Sequence, residues 1–234
     1  MNDFGLALMV ALAYLIGATP TSYIAGRLRR GGGIDLREHG SKNLGATNVY
    51  RVLGWKYAIP VGLVDVAKGA VPVAILGPWS NGPAWFTVAL GVAAVLGHMF
   101  SPYVRFKGGK GVATAAGVFL ALAPLAVAIS LPIWGAMLWL SGYVSVASIT
   151  VAALFPLWIR LTRPREPYTF WAGVVLALLI VYAHRGNMRR LANGTENRFR
   201  TRRGVGRSDG RTVRLESGTA RGGADSPAVR PSDE

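Results

Sequence analysis

The sequence predicts an all-α, polytopic integral membrane helix bundle with seven transmembrane spans. Two observations lead to this fold class: the 234 residues are 51% hydrophobic and only 16% charged, and the apolar residues are gathered into long runs. Soluble chains carry about 25% charged residues, whereas a bilayer core about 30 Å thick requires roughly 20 consecutive apolar helical residues. The composition therefore favours a membrane protein over a soluble domain.

The first apolar run, residues 4–25, is long enough to cross a bilayer and contains no charged residue. A secretory signal peptide is the alternative, but the segment before the run contains Asp3 and no basic residue, and no A-x-A cleavage pattern follows. The first run therefore predicts a transmembrane helix. Further apolar runs follow at 57–76, 85–104, 112–140, 143–159 and 170–183.

The run at 112–140 decides the number of spans. Its 29 residues correspond to about 43 Å of continuous helix, which is too long for one span and short for two. Pro124 and Pro132 are able to break it. A break near Pro124 gives seven spans, with a first short segment that packs inside the protein instead of facing lipid. A single crossing gives six spans.

The distribution of Lys and Arg in the loops predicts the orientation. Seven basic residues lie between 27 and 56, which places this loop in the cytoplasm and the N-terminus outside. The loop at 77–84 has no charge, and the loop near Lys110 is basic again. Seven spans place the 12 arginines of residues 185–234 inside, whereas six spans place them outside. We therefore favour seven spans with the N-terminus outside and the C-terminus in the cytoplasm.

Two domains follow from the change of composition near residue 197. Residues 1–196 form the predicted transmembrane domain. Residues 197–234 are rich in Gly, Ser, Arg, Asp and Pro and have almost no apolar residues to bury. We expect this segment to be a disordered basic tail in the cytoplasm, and no aromatic interleaving indicates nucleic-acid binding.

Three polar patches border the predicted membrane. Residues 40–51 (GSKNLGATNVYR) and 106–114 (FKGGKGVAT) combine glycines with basic residues, and such loops turn backbone N–H groups toward phosphate. A helix that begins after the second loop adds its dipole. Each loop alone is compatible with ordinary positive-inside sequence, but the two together favour an anionic substrate. The third patch is residues 184–196 (HRGNMRRLANGTE), where His184 and Asn187 share a face if the helix continues.

Other polar residues lie within the apolar runs. Asp65 and Lys68 are spaced to neutralise each other on a helix, and we favour a structural ion pair over a catalytic role, although ionisable residues at such depth often mark function. Ser145 and Ser148 either bond back to their own helix or line a polar pocket.

Several classes of chemistry are excluded or disfavoured. The chain has no cysteine, which excludes disulfide scaffolds, thiolate catalysis and Cys-ligated metals. None of His39, His98 and His184 is followed by Asp at the H-x-x-x-x-D spacing of the common acyl-CoA acyltransferases. The loops contain no Walker A motif. No metal or cofactor is predicted.

Five segments of the chain closely resemble, in order, the bacterial acyl-phosphate-dependent glycerol-3-phosphate acyltransferases. They are the three polar patches at 40–51, 106–114 and 184–196 and the segments 65–69 (DVAKG) and 97–100 (GHMF). The resemblance implies an enzyme of the bacterial inner membrane whose motifs face the cytoplasm. It implies acyl transfer from acyl phosphate to the 1-hydroxyl of glycerol 3-phosphate, giving lysophosphatidic acid and phosphate in the first step of phospholipid synthesis. Met188 stands where the family commonly has Ile, and the tail is longer than the family requires.

The resemblance also implies roles for individual residues. The glycerol-3-phosphate and catalytic group is Ser41, Arg51, Lys110, His184 and Asn187. The further substrate contacts are Asn43, Gly45, Thr47, Asn48, Gly108, Gly109, Thr114, Ser145, Ser148, Arg190 and Glu196. Because an acyl phosphate is already activated, we expect direct attack by the hydroxyl without an acyl-enzyme, with Lys110 between the two phosphates. Either His184 or the departing phosphate takes the proton.

Two other classes of protein remain as alternatives. A transporter of a phosphorylated solute also needs anion sites, but carriers usually show internal repeats and a site near the midplane, and we find no repeat. A membrane scaffold that binds anionic lipid through the Arg-rich tail is the second alternative. The expected partners are the two substrates and membrane lipid, without nucleic acid, and a monomer is compatible with the sequence.

Overall fold

The computed structural model describes residues 2–29 and 31–199, and all regular structure within these ranges is helical. The predicted tail lies outside the described residues from position 200 onward. The helices are α1 (Asp3–Ala18), α2 (Thr21–Arg27), α3 (Ala46–Leu53), α4 (Trp55–Val71), a π-helical turn (Pro72–Leu76), α5 (Gly77–Ser80), α6 (Ala84–Met99), a 3-10 turn (Pro102–Val104), α7 (Val112–Leu122), α8 (Pro124–Ser141), α9 (Val144–Thr162), α10 (Pro167–Ala183) and α11 (Arg185–Ala192).

The helices have the length and surface of membrane spans. Within the described residues, four helical segments are long and apolar enough to cross a bilayer, and six are if each of two bent helix pairs is one span. Large apolar side chains point outward, as Leu63, Trp79 and Leu178 do with about two thirds of their surface exposed. An outward apolar surface of this kind is the one that lipid requires.

The first predicted span is bent. Instead of one helix over 4–25, α1 and α2 meet at an angle of 40° around Thr19 and Pro20. Proline lacks a backbone N–H and disfavours helical geometry in the residue before it. The carbonyl of Thr19 then accepts a hydrogen bond from Lys68 Nζ on α4 (2.9 Å). The bend therefore links the first span to a buried charge.

The long apolar run breaks where the sequence predicts, because α7 ends at Leu122 and α8 begins at Pro124. Glycines allow α7 to lie directly on α4. A Cβ atom on Gly117 would overlap the carbonyl of Val66, and one on Gly69 would overlap the carbonyl of Thr114. Small residues at such crossings are typical of membrane helices. The short helix α7 is therefore packed against α4 along one side, whereas the side chain of Leu120 near its C-terminal end is half exposed.

Helices α6 to α10 enclose the largest apolar core. Phe119 of α7 and Phe155 of α9 pack with ring centroids 4.6 Å apart. On the other side of the bundle, α1 and α6 approach closely through glycines, since a Cβ atom on Gly17 or Gly97 would overlap backbone of the facing helix. The packing positions α7, α8, α9 and α10 around a common cavity.

Candidate active site

A cavity of about 420 Å³ lies between the loop before α3 and helices α7 to α10. One end is polar and is formed by the loop at 41–48, the N-terminus of α7 and the junction of α10 with α11. The other end is apolar and runs between the helices to Phe119 and Phe155. Along α9 the cavity extends from Ser145 to Phe155, about 15 Å at the helical rise. The cavity is therefore amphiphilic.

The three polar patches come together at this cavity. All five residues of the predicted catalytic group line it: Ser41, Arg51, Lys110, His184 and Asn187. Seven of the predicted substrate contacts line it as well: Asn43, Gly45, Thr47, Asn48, Ser145, Ser148 and Glu196. Gly108, Gly109, Thr114 and Arg190 do not line it.

Asn48 shapes the first loop. Its side chain is buried, donates from Nδ2 to the carbonyls of Leu36 (3.1 Å) and His39 (3.0 Å), and accepts from the backbone N–H of Ser41 at Oδ1 (2.7 Å). Gly40 has a φ of 60°, and a Cβ atom there would overlap Asn48 Oδ1. Asn48 lines the cavity while backbone groups occupy both ends of its amide, and a contact between Asn48 and a substrate stays a prediction.

Helix α3 directs unpaired N–H groups at the cavity. It begins at Ala46 without a side-chain cap, and the carbonyl of Gly45 accepts the amides of Asn48 (2.9 Å) and Val49 (3.2 Å), which leaves the amides of Ala46 and Thr47 without an intrahelical partner. Arg51, one turn later, donates from Nη2 to the carbonyl of Asn197 (3.1 Å). Its buried Nε has no hydrogen-bond partner among the described residues. A guanidinium N–H beside a helix N-terminus is suited to a phosphate oxygen.

The second loop differs from the prediction in its glycines. The N–H of Gly109 donates to the carbonyl of His98 (3.2 Å), and that of Gly108 donates to the carbonyl of Met99 (3.1 Å). These amides hold the loop against the end of α6 and are not free for a phosphate. Thr114 is fully buried against Gly69 of α4. Gly108, Gly109 and Thr114 thus pack beside the cavity without lining it, and their contacts with a substrate stay predictions.

The part of the second loop that lines the cavity is the N-terminus of α7, not Gly108 and Gly109. Lys110, Gly111, Val112 and Ala113 line the cavity, and Gly111 has a φ of 80°, a left-handed conformation that glycine adopts without strain. Helix α7 begins at Val112 without a side-chain cap. The second loop thus contributes a lysine and a helix N-terminus to the cavity.

The third patch lies at a bend of 49° between α10 and α11. His184 donates from Nδ1 to the carbonyl of Ile180 (2.8 Å), because a carbonyl oxygen only accepts. In the neutral ring this leaves the lone pair on Nε2. Asn187 accepts a hydrogen bond from Lys110 Nζ at Oδ1 and donates from Nδ2 to Glu196 Oε1 (2.6 Å). The bend places both side chains at the cavity.

Glu196 organises the polar end. Its carboxylate accepts from Asn187, from Ser145 Oγ (2.9 Å) and from Arg190 Nε (2.7 Å). Burial raises the pKa of Glu196, but these hydrogen bonds together outweigh burial and keep the pKa below its usual value. Arg190 does not line the cavity, and its Nε pairs with Glu196; a contact between Arg190 and a substrate stays a prediction.

Lys110 is a partly desolvated cation. Burial lowers the pKa of Lys110 to about 8; the charge of Glu196 raises it, and those of Arg190 and Arg51 lower it further. Among the described residues, neither Lys110 nor Arg51 forms an ion pair with a carboxylate. Two cations without paired carboxylates thus face the same space, where they are able to bind anions.

The structure adds residues that sequence reasoning did not assign. Trp134 of α8 lines the cavity and donates from Nε1 to Ser148 Oγ (3.2 Å), so Ser148 holds an aromatic ring near the apolar end. Asp65 and His98 also border the cavity. Spacing along the chain contained no signal for these contacts, because each joins different helices.

The described residues offer no evident metal site. In the ranges 2–29 and 31–199, no group of three His, Asp or Glu side chains lies close enough together to hold a metal ion. The chemistry that this arrangement supports is charge stabilisation by Lys110, Arg51 and two helix N-termini, with a neutral imidazole nearby.

The comparisons with known proteins agree with this geometry. Residues 7–194 match the model of the family described as glycerol-3-phosphate acyltransferase. The glycerol-3-phosphate acyltransferase of Fusobacterium nucleatum is 44% identical over 82% of this chain and 96% of its own length. That of Desulfotalea psychrophila is 46% identical over 81% of this chain and 95% of its own length.

A solved structure has the same fold. The crystal structure of PlsY, an integral membrane glycerol 3-phosphate acyltransferase in its glycerol 3-phosphate form, aligns with a TM-score of 0.78. It is 38% identical, and the alignment covers 84% of this chain and 96% of that one. The family match, the identities and the shared fold extend over the whole described bundle. The chain therefore belongs to the glycerol-3-phosphate acyltransferase family and is an acyltransferase of the membrane.

Proposed function

We propose that the protein transfers an acyl group from acyl phosphate to the 1-hydroxyl of glycerol 3-phosphate, releasing 1-acyl-glycerol 3-phosphate and inorganic phosphate. The amphiphilic cavity supports this proposal. Its polar end contains Arg51 and Lys110 without paired carboxylates, and its apolar end runs between α7 and α10 to Phe155. A phosphate group joined to an acyl chain has the same division into a charged and an apolar part.

The cations and helix N-termini hold two phosphates together. Two phosphorylated substrates repel each other, so catalysis requires positive charge and positioning. Ser41 and Arg51 bind the phosphate of glycerol 3-phosphate beside the N-terminus of α3. Lys110 lies between the two phosphates, and Asn43, Gly45 and Thr47 surround the acyl phosphate. Asn187 and Glu196 orient Lys110 and Ser145 through the hydrogen bonds described above.

The transfer needs no covalent enzyme intermediate. Oxygen O1 of glycerol 3-phosphate attacks the acyl carbon, the new C–O ester bond forms, and the C–O bond to phosphate breaks with its electron pair leaving on the phosphate. The proton of the hydroxyl passes to His184 Nε2 or to the departing phosphate. His184 Nε2 bears the lone pair in the neutral ring, because Nδ1 donates to Ile180.

His184→Gln separates these two routes. Glutamine is able to accept a hydrogen bond from the hydroxyl but not to take its proton at neutral pH. If His184 is the base, kcat falls by about 100-fold or more in the variant. If the departing phosphate is the acceptor, the kcat of the variant stays within about tenfold of that of the unmodified protein. The main effect is then a rise in the KM for glycerol 3-phosphate.

We further propose seven spans, with the N-terminus outside and the site facing the cytoplasm of a bacterial inner membrane. The direction of the helices supports an odd number. Helices α7 and α9 start at the site and lead away from it, whereas α8 and α10 return to it. Helix α1 ends beside the C-terminal part of α6, where Gly17 meets Ala94, and α6 ends at the cavity with His98, so Asp3 lies at the end of the bundle away from the site. The basic loop 27–56 then lies in the cytoplasm.

The deciding experiment measures phosphate release from palmitoyl phosphate by the purified protein in detergent, with and without glycerol 3-phosphate, and with palmitoyl-CoA as a second donor. We expect release that requires glycerol 3-phosphate and yields lysophosphatidic acid. Product formation from palmitoyl-CoA alone would overturn the proposed donor. A folded protein that is inert with either donor, but takes up glycerol 3-phosphate into sealed vesicles, would favour a transporter.

A further inference from the structure

A second buried polar cluster lies beside the cavity and has no part in the proposed chemistry. Asp65 and Lys68 of α4 are 1% and 5% exposed and form an ion pair of 2.7 Å. Thr21 Oγ1 donates to Asp65 Oδ1 (2.5 Å), and Lys68 Nζ donates to the carbonyl of Thr19 (2.9 Å). The cluster thus joins α4 to the bend between α1 and α2. A buried ion pair adds little stability compared with apolar side chains packed in the same place. Stability alone therefore does not explain why charged residues occupy these positions.

His98 connects this cluster to the loop that carries Lys110. Its Nδ1 lies 3.8 Å from Asp65 Oδ1, and its carbonyl accepts the N–H of Gly109 (3.2 Å). A Cβ atom on Gly109 would overlap His98 Nε2, so the far edge of the imidazole rests on the backbone of Gly109. Lys110 is the next residue. The imidazole therefore lies between the ion pair and the base of the lysine.

A second contact reaches the other side of Lys110. Gly69 follows Lys68 and packs against the carbonyl of Thr114 in the first turn of α7. The backbone on both sides of Lys110 is thus supported by α4 and α6. Displacement of either support moves the ammonium group relative to Asn187, its hydrogen-bond acceptor on α11.

We infer that His98, whose imidazole lies between Asp65 and the backbone of Gly109, is a positioning residue that fixes the Gly108–Gly109 backbone and thereby places Lys110 in the cavity. This inference rests on the proposed function, because it takes Lys110 as the residue that acts on the substrates. His98 acts through backbone contacts and need not touch a substrate. Rigid support of this kind matters because a displacement of about 1 Å at a reacting group costs up to about 100-fold in rate.

The test compares His98→Ala, His98→Gln and His98→Asn in the full-length protein. The Gln amide reaches the position of Nε2 next to Gly109, whereas the Asn amide reaches only that of Nδ1 next to Asp65. Glu166→Gln is the control, since Glu166 pairs with Arg163 in the turn between α9 and α10, outside the cavity. The readouts are kcat, the KM for glycerol 3-phosphate, thermal unfolding in detergent, and the alkaline limb of the pH profile.

The alkaline limb is the fall of kcat/KM at high pH, and its position reports the surroundings of Lys110. The groups that face its ammonium are Asn187, Glu196, Arg190, Arg51 and His184. None of these is changed by the variants, so a shift of the limb reports movement of Lys110 itself. A lysine that leaves its buried position regains a limb near its ordinary value of about 10.4.

We expect His98→Ala and His98→Asn to lower kcat/KM by about 10- to 100-fold and to move the alkaline limb upward from about 8. His98→Gln keeps the limb near that of the unmodified protein and recovers most of the activity, and the control stays within about twofold in kcat/KM. Where His98→Ala does not fold, the Gln and Asn variants decide the question. Equal behaviour of Gln and Asn, or an unmoved limb in a folded variant of low activity, overturns the inference.

A readout without turnover separates this inference from the proposed function. The pH dependence with which an amine-reactive reagent modifies Lys110, followed by mass spectrometry, reports its pKa directly. A protein that is inert with palmitoyl phosphate would overturn the proposed function. The role of His98 would still be tested in such a protein. A higher pKa of Lys110 in His98→Asn but not in His98→Gln supports that role, and an equal pKa in both variants overturns it.

Discussion

Two clusters of charge lie side by side in this bundle, one buried and one half-buried, and they use similar residues in opposite ways. In the first, Asp65 and Lys68 form an ion pair of 2.7 Å. Thr21 donates a further hydrogen bond to Asp65, and the carbonyl of Thr19 accepts one from Lys68. In the second, Lys110 meets the neutral amide of Asn187, while the carboxylate of Glu196 pairs with Arg190. We call the first cluster closed, because each of its two charges is paired with the other. The second cluster leaves the ammonium group of Lys110 facing the cavity.

The difference teaches how one protein makes a structural lysine and a reactive one. A buried charge is tolerated when a partner compensates its lost hydration. Lys68 has that partner at all times. Lys110 is compensated only in part by an amide oxygen, and we propose that an anionic substrate completes its surroundings. Charge held in advance where negative charge develops is the arrangement that lowers a barrier most effectively.

Removal of the open lysine has the largest expected effect. Lys110→Ala deletes the charge that we propose to lie between the two phosphates, and we expect kcat/KM to fall by about 1,000-fold with little change in thermal unfolding. Lys107→Ala is the matched control, because Lys107 lies on the same loop, exposed and away from the cavity. An active Lys110→Ala enzyme would contradict the assignment.

Removal of one member of the Asp65–Lys68 pair has its largest effect on stability. Asp65→Ala leaves Lys68 buried without its partner, and such a change costs about 3–5 kcal/mol. The double variant Asp65→Leu with Lys68→Met removes both charges and should recover much of that loss. Thermal unfolding in detergent measures both. If the double variant is no more stable than Asp65→Ala, the closed description of this cluster is wrong.

The pH dependence distinguishes the two lysines in the unmodified protein. Lys110 carries its charge below its pKa of about 8 and loses it above. The value of kcat/KM, which reports the free enzyme, should therefore be level below pH 8 and fall about tenfold per unit well above it. In Lys110→Arg the alkaline limb near pH 8 should vanish, since a guanidinium stays charged.

The smallest expected effect concerns the C-terminal segment. The carbonyl of Asn197 accepts from Arg51, and the ring of Phe199 stacks on Tyr50 with centroids 5.2 Å apart. A chain that ends at Phe199 should keep its turnover within about twofold. A chain that ends at Glu196 loses both contacts, and we expect a severalfold rise in the KM for glycerol 3-phosphate. A lipid-binding scaffold would instead lose its function in the first truncation.

The sequence by itself determined the helical membrane architecture, the break at Pro124 and the three patches that meet at the cavity. These features are local, because hydrophobic run length, proline and glycine-rich basic loops act over a few turns of chain. The pairing of Asp65 with Lys68 was predictable for the same reason, since the two residues are one helical turn apart.

Only the tertiary structure decided which polar groups remain free. Asn48, Gly108, Gly109 and Arg190 resemble ligand-binding positions in sequence, yet backbone or side-chain partners from elsewhere already occupy them. Trp134 had no sequence signal, and His98 was marked only as part of the segment 97–100, because the contacts of both residues join different parts of the chain. Hydrogen-bonding capacity is limited, so a polar side chain is available to a substrate only when no distant part of the chain has taken its partners. That assignment depends on how the helices pack.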